Sequence, residues 1–248
     1  MGTSQFLAPD TVYDHWPFPV AVTRHKVIQA TNPLSRFFLL LDHFDSLIRF
    51  FYLAHEIEGG RIPVVPDKPS LGWWFDSLAR SMQGETLYRD VVRIAAKEEV
   101  VNLRNETRGH SYLASDENSY KDPAQRLEGI LSEIEEILFP FFQAHRLVIP
   151  KQIALQNGNY RVVGDNLIGS HILHPHFQVD LIRDPRSAGI INEQEVHLSD
   201  SRFESFKRMS PFIRSATCPE CRHERLLITE GAQRYIDVFV GHRVQLSQ

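Results

Sequence analysis

From Asn32 onward, Leu34, Phe37, Phe38, Leu41, Phe44, Leu47, Ile48, Phe51 and Tyr52 recur at helical spacing. An α-helix gathers residues at those intervals onto one side. A stripe this wide, and this rich in phenylalanine, must be covered from several directions at once. Asn32 is suited to cap the helix, because its side-chain oxygen accepts from a free N–H of the first turn, and Pro33 fits the N1 position. Gly59-Gly60 supplies the stop. A helix over about residues 32–58 is therefore expected at the centre of an antiparallel helical bundle.

Three further helices are expected around it. Ser70 is a second N-cap, followed by the stripe Leu71, Trp74, Phe75, Leu78, Ala79 and Met82. Trp73 and Trp74 are adjacent and cannot both face one core, so one of them is expected at an interface or a base-stacking surface. The third helix spans about Thr86 to Asn105, with Val91, Ile94, Ala95 and Val101 inward. Asp122-Pro123 opens the fourth, whose face is Leu127, Ile130, Leu131, Ile134, Ile137, Leu138, Phe141 and Phe142. Pro140 is expected to kink or weaken its last turns. Pro9, Pro17 and Pro19 mark residues 1–31 as an extended lead. The polar stretch Ser111 to Lys121 reads as a loop.

The pattern changes near Pro150. Gln152 to Gln156 and Tyr160 to Val163 flank Asn157-Gly158, a strong hairpin signal, since both turn positions need positive φ. Phe177 to Ile182, Glu195 to Leu198, Arg225 to Thr229 and Tyr235 to Val240 are further strands, with Gly231-Ala232-Gln233 turning the last pair. The fold class is α+β: an N-terminal antiparallel helical bundle over 32–149, then a small antiparallel β-rich domain over 150–248, with separate cores.

Charge and composition narrow the functions. The net charge of −4 argues against a protein that coats nucleic acid over a broad basic surface, so any RNA contact must be local. Two cysteines provide no disulfide framework. No apolar run is long enough to cross a bilayer, and Met1 to Phe6 show neither a basic nor an apolar signal region. A cytoplasmic protein with no membrane partner is expected. A Gly-rich phosphate loop, a Gly-x-Ser-x-Gly elbow and a His-Glu-x-x-His helix are all absent from the sequence, which disfavours NTPases, serine hydrolases and zincins.

The chemistry-bearing motif is Arg104-Asn105-Glu106-Thr107-Arg108-Gly109-His110 at the end of the third helix. An arginine offers a planar fork for phosphate, and a histidine titrates near neutrality. The structural alternative is a helix C-terminus, with a cation against the dipole and a glycine stop. The residues, with their helical setting from Asn32 to His145, resemble the signature of HEPN domains, many of which are RNases. That resemblance implies an endoribonuclease that cuts RNA without metal, leaving 2′,3′-cyclic phosphate and 5′-hydroxyl ends. It implies that Arg104 holds the scissile phosphate and His110 moves the proton. Asn105 would orient one of them, and Arg108 would add a substrate contact. It also implies a homodimer that pairs two such motifs, and a bacterial toxin or antiphage effector with an antitoxin or defence-system partner. The alternative is a non-catalytic HEPN-like module for dimerisation and partner binding.

Cys218-Pro219-Glu220-Cys221 is half of a zinc ribbon, two thiolates at a chelating spacing. His223 and His242 are the candidates to complete a structural zinc site, against the reading of a metal-free relic. Ser210 to Ile213 and Gly241-His242 resemble a tail that follows helical domains in bacterial conflict and signalling proteins. His171, His174 and His176 form a further histidine cluster, read as a polar loop beside the sheet.

Overall fold

The computed structural model describes residues 13–83, 88–109, 117–187, 191–231 and 233–246. Six α-helices come first among them: α1 (Phe18–Gln29), α2 (Pro33–Glu58), α3 (Leu71–Ser81), α4 (Arg89–Lys97), α5 (Val100–Gly109) and α6 (Lys121–Ala144). Nine strands follow: β1 (His145–Gln156), β2 (Asn159–Asn166), β3 (His176–Leu181), β4 (His197–Asp200), β5 (Phe206–Arg208), β6 (Ile213–Thr217), β7 (Glu224–Gly231), β8 (Arg234–Asp237) and β9 (Arg243–Gln245). The first five make one antiparallel sheet in the order β3-β2-β1-β4-β5, and the last four make a second, β6-β7-β8-β9. The expected α+β class, helices before strands, is the one observed.

The long stripe forms α2, and its ends are fixed by the residues that announce them. Asn32 Oδ1 accepts from Ser35 N at 2.7 Å. Gly60 takes φ +71 beyond the last turn. Helices α1, α3 and α6 all pack on α2. Phe37, Phe44, Phe50 and Phe51 are buried there, each contributing roughly 1.5–3 kcal/mol by removal from water. Ser70 caps α3 in the same way, its Oγ accepting from Trp73 N at 3.0 Å. Trp74 is buried and Trp73 packs edge-on against it and Tyr52, so both indoles join the same core.

Two helical expectations are corrected. Residues 18–29 are helix α1 instead of part of an extended lead. Pro17 is its N-cap and Pro19 lies in its first turn, where a missing N–H costs nothing because the helix has no acceptor for it there. The single third helix is two, α4 and α5, broken at Glu99, which adopts φ +52. Val91 and Ala95 are buried on α4 and Val100 on α5. In an unbroken helix Val100 would point about 140° away from Ala95, and the left-handed residue turns it back into the core. Pro140 lies inside α6, which runs through it to Ala144.

The first hairpin follows the sequence closely. Asn157 and Gly158 take φ +51 and +82 between β1 and β2. β1 starts at His145, directly after α6, so the change of secondary structure leaves no linker at residue 150. The main buried cluster is continuous across that point. It joins the helices to Leu147 and Ile149 of β1, Leu198 of β4, and Ile213, Leu226 and Ile228 of the second sheet. Two smaller buried clusters, around Val162 and Phe177 and around Leu227 and Tyr235, include no helical residue, while the helices use the sheets as part of their cover. For the same reason the strongly exposed large apolar residues, Ile62, Val64, Leu155, Leu173 and Ile182, lie off the helices.

Candidate functional site

Arg104 and Asn105 are consecutive residues of α5, so their side chains leave the helix about 100° apart. Arg104 is half-buried and Asn105 exposed. Gly109 is the last residue of α5. His110 and the side chain of Arg108 lie outside the described residues. Thr107 Oγ1 donates back to the Leu103 carbonyl at 2.8 Å, one turn earlier in the same helix.

Arg104 lines a cleft of about 550 Å³ formed with α2, the chain before α3 and the second sheet. Arg49, Lys68, Arg234 and Arg243 line the same cleft, as do Asp42, Asp45 and Glu230. Most of the cations are already engaged. Arg49 pairs with Asp45 at 2.7 Å, Arg243 with Glu230 at 3.1 Å, and Arg234 donates to the Asp67 carbonyl at 2.6 Å. The Arg104 guanidinium and the Lys68 ammonium make no hydrogen bond or ion pair to another described residue. An acidic chain thus has a local cleft in which two of the lining cations, Arg104 and Lys68, have no ion-pair partner among the described residues.

A second polar constellation escaped sequence reading altogether. Glu135 of α6 lies 2.7 Å from His43 Nε2 and 3.4 Å from Arg24 Nε. His43 Nδ1 lies 2.9 Å from Thr23 Oγ1, and Arg24 Nε donates to Tyr13 Oη at 3.2 Å. Burial, then the Glu135 charge, pushes the Tyr13 hydroxyl above its usual range. Thr23, His43 and Glu135 have the order of a nucleophile, base and acid. However, His43 is wholly buried, and Thr23 Oγ1 also bonds carbonyls of its own helix. A substrate has no approach to it. The group clamps α1, α2 and α6 together.

The cysteines occupy one end of the second sheet. Consecutive antiparallel strands place the β6–β7 and β8–β9 connections at the same end. Cys218 to His223 form the first connection, closed by Cys218 N donating to His223 O at 2.9 Å and Arg222 N to Cys218 O at 2.8 Å. Arg222 takes φ +58 to complete that turn. Asp237 ends β8, and its Oδ1 accepts from Phe239 N at 2.8 Å and Val240 N at 3.2 Å. That turn folds the chain back until Asp237 N donates to His242 O at 2.8 Å.

These turns gather Cys218, Cys221, Asp237 and His242 with one potential ligand atom each, all within 4.8 Å of one another. His242 Nδ1 lies 3.5 Å from Cys218 Sγ. Cys218 and Asp237 are fully buried. The Arg225 guanidinium, followed by the His223 backbone N–H, pulls the Cys221 thiol from 9.0 down to about 7. The expected pairing of the cysteines with His242 is present in space. His223, by contrast, is exposed and outside the group; its position is filled by Asp237. Sequence spacing favoured His223 because it is two residues from Cys221, but a β-strand starts at Glu224 and carries the chain away.

The other histidines do not converge. His176 on β3 is exposed and lies 3.0 Å from Asp165, while His174 packs edge-on against Phe18 and burial lowers its pKa. Among the described residues no helix is long and apolar enough to cross a membrane. Comparisons with family models, with curated proteins and with solved structures returned no match for this chain.

Proposed function

We propose that this chain is a metal-independent endoribonuclease of HEPN type, with its helices as the HEPN-like bundle and Arg104 as its phosphate-binding residue. The observation that carries the reading is the position of Arg104, uncommitted to any described partner, in a cleft rich in cations. A guanidinium there binds two non-bridging phosphate oxygens at once and stabilises the charge that builds on them during displacement.

The reaction needs a nucleophile, and RNA supplies its own. The ribose 2′-hydroxyl attacks phosphorus, loses its proton to a base, and expels the 5′-oxygen, which takes a proton. The products are a 2′,3′-cyclic phosphate and a 5′-hydroxyl. His110 follows Arg104 closely in sequence, and its imidazole serves as base or acid near neutral pH. One imidazole serves both steps poorly, so a homodimer that faces two motifs toward one phosphate is part of the proposal. Asn105 and Arg108 position the phosphate or the ring. A toxin or antiphage effector, cytoplasmic and held in check by an antitoxin or defence partner, is the biological setting that fits.

Incubating the purified chain with single-stranded RNA and analysing the ends of the fragments tests this directly. Cyclic phosphate and 5′-hydroxyl ends are expected, with DNA of the same sequence left intact. RNA that is bound but never cut would instead assign the chain to the non-catalytic, partner-binding class.

A further inference from the structure

We infer that Cys218 Sγ, Cys221 Sγ, Asp237 Oδ2 and His242 Nδ1 are the four ligands of a structural zinc ion that locks the end of the second sheet. This site is independent of the ribonuclease reading. Zinc bonds of about 2.0–2.3 Å in a tetrahedron put ligand atoms roughly 3.3–3.8 Å apart. One ligand atom from each of the four residues already lies within 4.8 Å of the others, so small movements of side chains on two short turns close the shell.

Three observations beyond proximity point to a cation. First, Asp237 is fully buried and its Oδ2 has no hydrogen bond, although Oδ1 accepts from two backbone N–H groups. The Arg225 Nε that lies 3.4 Å from Oδ2 makes no hydrogen bond either, so this buried oxygen has a charge nearby but keeps its lone pairs for a ligand bond. Second, Glu220 Oε2 lies 3.6 Å from His242 Nε2. Just beyond hydrogen-bond distance, the carboxylate still attracts the ring proton toward Nε2 and so favours a lone pair on Nδ1, the nitrogen 3.5 Å from Cys218 Sγ. Third, two thiolates and one carboxylate around Zn²⁺ leave one negative charge over. Arg225 stands beside it, its Nε 3.4 Å from Asp237 Oδ2, held by the Phe239 ring. A guanidinium outside the ligand set neutralises that excess without occupying a ligand position.

The two connections joined this way are distant in sequence, Cys218 to His223 and Asp237 to His242, and no disulfide or other covalent link ties them. A shared ion would fix the second sheet at the end away from its β7–β8 turn. The ligand chemistry, two soft sulfurs with nitrogen and one oxygen, suits zinc better than magnesium or calcium.

The test uses the full chain purified without chelator, with metal content measured by mass spectrometry and Co²⁺ as a spectroscopic probe of the stripped protein. About one zinc per chain is expected, and Co²⁺ should give the intense visible bands of a tetrahedral site together with thiolate-to-cobalt charge transfer. Asp237→Asn keeps the oxygen that caps Phe239 and Val240 while replacing the free one, so it should fold and bind zinc at least tenfold more weakly. His223→Ala should retain zinc fully. Cys218→Ser should lose it, and if that variant fails to fold, the Co²⁺ spectrum of the unmutated chain and the Asp237→Asn affinity still decide. A folded, metal-free protein that gives no cobalt bands overturns the site. Zinc lost in His223→Ala and unchanged in Asp237→Asn overturns the ligand set.

Discussion

Glu135 shows how much of the molecule depends on single side chains that local sequence cannot reveal. Its carboxylate faces both Arg24 and His43 in a nearly dry setting. Removing one partner of a buried ionic group typically costs about 3–5 kcal/mol, because the remaining charge is stranded. Glu135→Ala should therefore lower the urea-unfolding free energy by roughly that amount, and a loss under about 1 kcal/mol would show that the network contributes little. Cys221 gives a pH signature in the metal-free protein. Its folded thiol is depressed from 9.0 to about 7, so the stabilisation it brings is full above the ordinary cysteine value and lost as pH falls through about 7. Alkylation of Cys221 followed by peptide mass spectrometry should rise with a midpoint near that pH, and Arg225→Leu should move the midpoint upward. Neither environment is legible in the chain. His43 is visible beside Asp42 but meets its partner on another helix, and Asp237 looks like any strand-ending aspartate until the β8–β9 turn returns His242 to it.

At the scale of the element, local chemistry was legible and tertiary compensation was not. The caps at Asn32 and Ser70 and the turn at Asn157-Gly158 act within a few residues, and each forms where the sequence places it. Helix α1 was hidden because its prolines sit where a helix tolerates them. Strands β5, β6 and β9 run only three to five residues, too short for an alternating pattern to stand out. Gly231 carries a longer-range constraint. Its φ is +132, and a Cβ there would overlap the Asp67 carbonyl oxygen of the chain leading to α3. Gly231→Ala should destabilise the protein by about 2–4 kcal/mol through strain and displaced backbone. Thermal unfolding checks this, and a midpoint equal to that of the parent would mean that the β7–β8 turn is not pressed against that chain.

The whole molecule departs most from a reading by segments. Periodicity alone divides the sequence at residue 150, yet the buried cluster joins helices to both sheets. Unfolding should consequently be a single transition. Tryptophan fluorescence, which reports only Trp16, Trp73 and Trp74 of the helical part, should change together with the accessibility of the Cys218 thiol in the second sheet when both are followed in metal-free protein. Separated midpoints would mean two independently folding units. The same joint architecture puts Arg104 opposite residues of the second sheet, Glu230, Arg234 and Arg243, so the proposed phosphate site belongs to both parts of the chain. The Arg104-to-His110 motif was legible as a string of residues, whereas the cleft that Arg104 lines was not. The most direct test of the ribonuclease account is the rate of RNA cleavage by folded wild-type, Arg104→Lys and His110→Ala proteins in the presence of EDTA. The wild type should cleave with EDTA present, and each variant should lose at least a hundredfold, about 2.7 kcal/mol or more of transition-state stabilisation. Cleavage undiminished in His110→Ala would contradict it.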